Sequence, residues 1–244
     1  MLRPCAPGLH DERRRAAPRR ELRPLGGQRR GDSRKRGGKR MTATPFGDVR
    51  SAAICAFHDA DLGRDAHGGE APAAGAAGAW PWIEVNHRCN RLLWDEEDLA
   101  RRRDVPDAAI AANKRAIDGY NQRRNDAIER LDEALLERIA AVVPGAGAWH
   151  NSETAGSMVD RLSILALKIF HMQVQATRAD ASAEHRAACG DKLARLVLQR
   201  SDLARCLDTL LDSAAEGRAY WRVYRQFKMY NDAALNPYLY GGKN

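Results

Sequence analysis

The sequence predicts an all-α protein: an antiparallel bundle of four main helices, a shorter C-terminal helix and a disordered basic tail at the N-terminus. Apolar residues recur at steps of three and four over long segments, which is the period of a buried helix face. Gly and Pro concentrate between those segments. No segment alternates with period two for long enough to predict a strand. The 244 residues suffice for one medium domain with its own core and a tail.

The basic charge of the chain belongs to its tail. Residues 1–40 contain 14 of the 40 Lys and Arg residues but 4 of the 32 Asp and Glu residues, so the rest of the chain is slightly acidic. This Arg-, Gly- and Pro-rich composition offers too little apolar surface to offset the entropy of folding. Three interpretations are considered: a start codon assigned too early, with Met41 beginning the product, a basic arm for nucleic acid, or an organelle-targeting segment. The tail lacks the aromatic residues of nucleic-acid-binding arms, and its carboxylates are atypical of organelle-targeting segments. Because the basic charge belongs to the tail, nucleic acid is not an expected partner of the rest of the chain.

Between the tail and the main domain, residues 41–79 predict a short helix and a linker. The helix is expected over 46–62. Residues 63–79 are rich in Gly and Ala, a composition typical of a flexible linker. The helical bundle domain is therefore expected over 80–244.

The main domain is expected to contain four long helices and a fifth, shorter one. Apolar stripes predict these helices over 82–103, 105–143, 154–172, 183–211 and 218–230. Asn236-Pro237 is expected to end regular structure, because the residue before a proline disfavours the helical conformation.

The third of these helices is expected to lie at the centre of the bundle. Thr154 supplies a hydroxyl that can cap its first turn. The stripe that it should bury consists of Met158, Leu162, Leu165, Ile169 and Met172. Ile164 and Leu167 lie off that stripe, so the helix is expected to be covered on more than one side.

Cysteine usage and hydropathy indicate a cytoplasmic protein. The five cysteines include no Cys-x-x-Cys pair and no zinc-like spacing, which indicates a reducing compartment. No apolar run approaches the roughly 20 residues that span a bilayer. The Arg-rich N-terminus has no apolar core, unlike a secretory signal. We expect no membrane partner, and the oligomeric state is not predicted.

Five sequence blocks point to a known family. In chain order they are Asn90–Asp98, Lys114–Asp126, Glu153–Met172, Gln199–Leu203 and Gln226–Asp232. Over about residues 80–240 these blocks resemble the domain of unknown function 4254 family of bacterial proteins. The family pattern has Pro after the Thr of the third block, where this chain has Ala155, which keeps the cap but removes some pre-organisation. The resemblance implies a helical fold and, since some members are encoded near glycosyltransferase genes, a link to cell-envelope polysaccharide synthesis; it implies no reaction.

The start of the third helix is a candidate anion site. A helix N-terminus presents free N–H groups and a partial positive charge, so phosphate is the expected guest, on a nucleotide or nucleotide sugar. The candidate ligand-binding residues on this helix are Thr154, Gly156, Ser157, Asp160, Arg161 and Lys168. In the alternative interpretation, Thr154 and Ser157 only cap the helix while Arg161 pairs with a carboxylate.

Further ligand-binding candidates come from polar groups at inward positions of the other helices. They are Asn90, Trp94, Lys114, Arg115, Asn121, Arg124, Lys228 and Asn231. Buried polar groups must find partners, because an unsatisfied one costs about 1–3 kcal/mol. Lys228 and Asn231 are expected either to reach a ligand held against the third helix or to cap the fifth.

The catalytic candidates are Glu97, Asp98 and His171. Carboxylates on the first two helices make Mg²⁺ the candidate cofactor, because it is bound by carboxylates and often accompanies phosphates. These carboxylates are Asp95, Glu96, Glu97, Asp98, Asp118, Asp126, Glu129 and Asp132. Alternatively they form a solvated face paired with arginines, and no metal ligands are assigned.

Two hypotheses about function follow. The first is a cytoplasmic protein that binds, and in one version hydrolyses or transfers, a phosphate-bearing small molecule in a polar pocket between helices one, two and three. The second is a non-catalytic interaction bundle whose polar interior only fixes the register of the helices. Whether the protein is an enzyme is left open, since the sequence contains no P-loop, dinucleotide-binding glycine pattern or Gly-x-Ser-x-Gly motif.

Overall fold

The computed structural model describes residues 44–64, 78–225 and 233–240. For residues 239 and 240 it describes the backbone alone. The helices are α1 (Ser51–Leu62), α2 (Trp80–Leu99), α3 (Asp107–Arg138), α4 (Ala155–Thr177), α5 (Ala183–Ala215) and α6 (Pro237–Tyr240), and the strands are β1 (Trp149–His150) and β2 (Ala219–Tyr220). The predicted all-α class is confirmed. The predicted disordered tail over 1–40 and most of the predicted linker lie outside the described residues.

Local hydrogen bonds set where α1 begins and α5 ends. α1 begins later than predicted because the chain first forms turns, in which the Gly47 N–H donates to the Thr44 carbonyl and the Val49 N–H to the Phe46 carbonyl, at 3.0 Å each. α5 ends at Ala215, and two residues later Gly217 has a φ of +69°, a left-handed conformation that favours glycine. The Gly217 and Arg218 N–H groups then donate to the Ala214 and Ser213 carbonyls at 3.0 and 2.8 Å, which is a Schellman motif.

The predicted fifth helix over 218–230 is wrong for residues 218–225, and the rest of it lies outside the described residues. After the Schellman motif the chain pairs in parallel with β1, opposite Trp149. The Trp149 N–H donates to the Arg218 carbonyl at 3.0 Å, and the Asn151 N–H donates to the Tyr220 carbonyl at 2.9 Å. Tyr220, which the sequence predicts to lie on a helix, therefore belongs to a short strand, and residues 221–225 have no regular structure. Regular structure also does not end at Pro237, which begins the four-residue α6.

α4 packs against α1, α2, α3 and α5, so its predicted central position is supported by its contacts. Its predicted stripe is buried at Met158, Leu162 and Leu165 and half-buried further along. Residues 100–106 join α2 to α3, which pack together, and residues 178–182 join α4 to α5, which also pack together. The antiparallel bundle as a whole stays a prediction.

The apolar core surrounds the first half of α4. The largest fully buried side chains from the other helices include Ile54, Ile83, Leu131, Leu135, Leu207 and Leu210. Each stabilises the fold by about 1.5–3 kcal/mol relative to an exposed position. Beyond Leu167, the side chains of α4 become half-buried or exposed, and those of α5 before Leu203 do so except at Cys189. No helix in the described part of the chain has the length and apolar character needed to cross a bilayer.

Candidate functional site

A cleft of about 680 Å³ lies between α2, α4 and α5, and we call it the large cleft. α4 and α5 each contribute four lining residues. In both helices these residues follow one another at steps of three, one and three positions, so each set lies on one helix face. The lining residues are Trp94 and Asp98 from α2, Lys168, His171, Met172 and Gln175 from α4, and Lys192, Arg195, Leu196 and Gln199 from α5. The large cleft therefore combines three cationic side chains with apolar ones and a single carboxylate.

Trp94 and His171 form a stacked pair in the large cleft. Their ring centroids are 4.3 Å apart and their planes differ by 5°. Partial burial lowers the pKa of His171, while the nearby carboxylates of Asp98 and Asp95 act in the opposite direction. The imidazole is therefore mostly neutral at pH 7 and can donate one hydrogen bond and accept another.

A second cleft of about 300 Å³, here the small cleft, adjoins the first and shares Trp94 and Asp98 with it. It lies between α2, α3 and α4, and its other lining residues are Asn90, Leu93, Glu97, Arg101, Asn121, Arg124, Ile164 and Leu167. Together the two clefts collect the predicted residues Asn90, Trp94, Glu97, Asp98, Asn121, Arg124, Lys168 and His171. We predicted that these residues share one pocket. The predicted pocket lay between the first three helices of the main domain, which are α2, α3 and α4, and did not include α5.

Asp160, a predicted ligand-binding residue, is bonded inside the protein. Its Oδ1 accepts from the side-chain amides of Asn86 and Asn90 at 2.8 and 2.9 Å. The Asn90 amide also lies 3.0 Å from the Ser163 hydroxyl. Arg124 Nε lies 3.9 Å from the same carboxylate oxygen, too far for a hydrogen bond. This buried polar cluster joins α2 to α4 and holds Asn90 at the small cleft.

The N-terminus of α4 is occupied by a carboxylate of the protein itself. The Thr154 hydroxyl caps the helix by accepting from the Ser157 N–H at 3.1 Å. The Gly156 N–H donates to Oδ1 of the buried Asp132 at 2.7 Å. Burial raises the pKa of Asp132 to about 6, although the hydrogen bond from Gly156 opposes this. Asp132 thus stands where the sequence led us to expect a phosphate.

Arg161 pairs with a carboxylate, as in the alternative interpretation of the sequence. It is exposed, and its Nη1 donates to both carboxylate oxygens of Glu153, at 2.9 and 2.7 Å. Arg161 lines a third cleft of about 540 Å³, which shares Arg195 and Gln199 with the large cleft. It is therefore a neighbour of the large cleft and not one of its lining residues.

The remaining predicted site residues lie elsewhere or outside the described residues. Lys114 is exposed and pairs with Asp118 one turn along α3. Arg115 is exposed beside it. Neither lines the large or the small cleft. Lys228 and Asn231 fall in the part of the chain that is not described.

The carboxylates considered for Mg²⁺ are dispersed. Asp118 pairs with Lys114, and Asp126 accepts from the Gln122 amide at 2.7 Å. Over residues 44–64, 78–225 and 233–240, no group of three or more His, Cys, Asp or Glu side chains has a geometry that could hold a metal ion. These residues therefore do not fit Mg²⁺ as a cofactor.

Sequence reasoning missed the contribution of α5. Lys192 and Arg195 were not candidates because they lie off the apolar stripe of α5, where a charged residue normally faces water, and Gln199 was noted only as an interruption of that stripe. Their spacing of three and four placed them on one face of the helix. A single sequence does not show that this face meets Lys168 and His171 of α4.

A second polar cluster lies in the core. His58 is fully buried, and neither ring nitrogen has a hydrogen-bond partner in the described part of the chain. It stacks on His87 with ring centroids 4.4 Å apart. His87 Nδ1 lies 2.8 Å from the Ser163 hydroxyl, which links this cluster to the one around Asp160. Beside it, Arg91 donates to the Asp61 carboxylate at 2.6 Å.

Comparison with known proteins gives a family but no relative of established function. A family model described as "Protein of unknown function (DUF4254)" matches residues 80–223. The match begins with α2 and ends just after β2, so it covers every residue lining the large and small clefts. Neither a curated protein nor a solved structure matches the chain. As the sequence blocks predicted, the chain belongs to the DUF4254 family of proteins of unknown function.

Proposed function

We propose that this protein binds a phosphate-bearing small molecule in the large cleft. The observation that carries the proposal is the group of three cations, Lys168, Lys192 and Arg195, which come from two helices and face one cleft. Among the described residues, none of the three has a carboxylate partner in an ion pair, whereas Arg50, Arg91, Arg138, Arg161 and Arg200 all do.

The chemistry of these side chains suits a phosphate. Lysine supplies a compact charge with three N–H donors, and arginine supplies a planar fork that can bind two phosphate oxygens. Neutral His171 adds one more donor at the same cleft. Asp98 is the single carboxylate among the lining residues, so the local charge favours an anionic ligand.

The proposal is confined to binding. Among the predicted catalytic residues, Asp98 and His171 line the large cleft, but Glu97 lines only the small one. The Glu97 carboxylate accepts a hydrogen bond from Arg101 at 3.0 Å, so it already has a partner within the protein. Turnover of the ligand would rest on His171 and Asp98 alone.

Replacing Lys192 and Arg195 together by glutamine is expected to weaken phosphate binding about tenfold. Each exposed charge contact contributes up to about 1 kcal/mol, and about 1.4 kcal/mol corresponds to a factor of ten. Calorimetric titration with pyrophosphate measures this change. Lys114→Gln is the matched control, because Lys114 is also exposed but lies on α3 and does not line the cleft. Equal binding by wild type and the double variant, or no binding by wild type, contradicts the proposal.

The alternative function, a non-catalytic interaction bundle, is favoured by one observation. Asn86, Asn90 and Asp160 are buried and bonded to one another, an arrangement that can fix the register of α2 against α4 without any ligand. Under this alternative, Asn90→Leu lowers the unfolding midpoint while Lys192→Gln changes neither stability nor binding. A measured phosphate affinity that depends on Lys192 decides against it.

A further inference from the structure

We infer that the ligand is a phosphate ester of a small polyhydroxylated group, such as glycerol or a sugar, whose hydroxyl-bearing part occupies the small cleft. This inference rests on the proposed phosphate site in the large cleft and narrows the ligand beyond it. Its basis is that the two clefts share Trp94 and Asp98. A ligand that extends past these two residues enters both.

The small cleft has the size of a subsite. Its volume of about 300 Å³ is at the lower end of the range for small-molecule sites. It has walls from three helices, with Asn121 and Arg124 on α3 opposite Glu97 and Asp98 on α2. Such a space accepts a compact group.

The charges of the small cleft argue against a second anion there. Two carboxylates, Glu97 and Asp98, face two guanidinium groups, Arg101 and Arg124. Glu97 is already paired with Arg101, which leaves the cleft close to neutral. A second phosphate would gain little net attraction in a cleft without net charge, whereas a neutral group does not depend on such attraction.

The hydrogen-bonding groups of the small cleft suit hydroxyls. Arg124 Nε and Trp94 Nε1 are shielded from solvent and have no hydrogen-bond acceptor in the described part of the chain. Asp98 can only accept, and the Asn121 amide can do both. A hydroxyl group donates and accepts, so one hydroxyl-rich group can use donors and acceptors on both sides of the cleft.

A nucleobase fits the small cleft less well. Bases are commonly held by stacking on an aromatic ring. Trp94 is the one aromatic side chain among the residues that line the small cleft, and one face of its ring already stacks on His171. The other apolar lining residues are the aliphatic Leu93, Ile164 and Leu167, which offer no stacking surface.

The test compares orthophosphate, glycerol 3-phosphate, a panel of hexose phosphates and the nucleotides AMP and UMP by calorimetry on the full chain. We expect glycerol 3-phosphate or a hexose phosphate to bind at least tenfold more tightly than orthophosphate. Asn121→Leu, which replaces the amide donor and acceptor by an apolar group of similar length, should abolish that gain and leave orthophosphate affinity unchanged, and Asn121→Ala should reduce it. Lys192→Gln should lower the affinity for every ligand by the same factor.

The outcomes separate this inference from the proposed function. If orthophosphate binding depends on Lys192 but no hydroxyl-bearing ester gains affinity, or the gain survives in Asn121→Leu, the polyhydroxyl subsite is wrong and the phosphate site stands. Tighter binding of AMP or UMP than of every hexose phosphate also overturns the subsite. If no phosphate compound binds, both proposals fail. Urea midpoints of the Asn121 variants equal to that of wild type show that a lost gain is not a folding defect.

Discussion

Gly156→Ala is expected to lower the free energy of unfolding by about 3 kcal/mol. A Cβ at this position would lie 2.7 Å from the Ile128 backbone carbonyl oxygen and 2.7 Å from Oδ2 of Asp132. Neither atom can move easily, because the first belongs to the backbone of α3 and the second to a buried side chain. Overpacking costs about 1–3 kcal/mol, and weakening the buried hydrogen bond from Gly156 to Asp132 adds about 1–3 kcal/mol.

Two other helical glycines provide matched controls for this prediction. A Cβ at Gly119 or at Gly190 would have nothing within 4 Å. Alanine at either position should therefore raise the free energy of unfolding by about 0.5–1 kcal/mol, because glycine loses more conformational freedom on folding. Urea unfolding at pH 7 measures all three variants. Equal effects at Gly156 and Gly119 would show that α3 and α4 do not approach as closely as the structure has them.

The position of α4 could be predicted from sequence because its signals are local. Thr154 lies three residues before the Ser157 N–H that it caps, and Met158 and Leu162 are one turn apart. By contrast, the partner of the Gly156 N–H is Asp132, which lies 24 residues earlier and on another helix. A single sequence gives no distance between two helices. It could not show that a carboxylate of the protein itself takes the place predicted for a phosphate at this helix N-terminus.

The same distinction explains the candidate site and the missing fifth helix. Trp94, Asp98, Lys168 and His171 were singled out for their phase on their own helices, and the structure brings them to one cleft. For α5, phase alone indicated a solvated face. The prediction of a fifth helix rested on the apolar spacing after Gly217, and this local signal could not show that residues 219–220 pair with the distant strand β1.

Acidification from pH 7.5 to 4.5 is expected to destabilise the protein through its two stacked histidines. Burial lowers the pKa of His87 to about 4 and that of His58 well below its usual 6.5. Charges on the surrounding helices act in both directions on His87: Asp61 and Asp59 raise its pKa, while Arg91 and Arg200 lower it. Because both folded pKa values are below the unfolded value, the unfolded state takes up protons first, and stability falls as the pH drops below 6.5.

Asp132 is expected to offset much of this loss. Its folded pKa of about 6 is above the usual 3.8, so the folded state takes up a proton first and gains stability as the pH falls through 6 towards 4. Each shift, of His87 and of Asp132, corresponds to about 3 kcal/mol with opposite sign at full titration. The net loss of unfolding free energy in the wild type is therefore close to the contribution of His58.

Two substitutions separate these contributions in urea unfolding at pH 7.5, 6 and 4.5. Asp132→Asn removes the opposing titration, so its stability should fall more steeply with acid than that of wild type. His58→Phe removes one titrating group and two unsatisfied nitrogens, so its stability should fall less steeply. The range stops at pH 4.5 because arginine partners hold the pKa of Asp48 and of Asp212 below the usual value, so their contribution is lost only below about pH 4. Parallel pH profiles for wild type and His58→Phe would mean that His58 is accessible to solvent protons in the folded state, contrary to its complete burial.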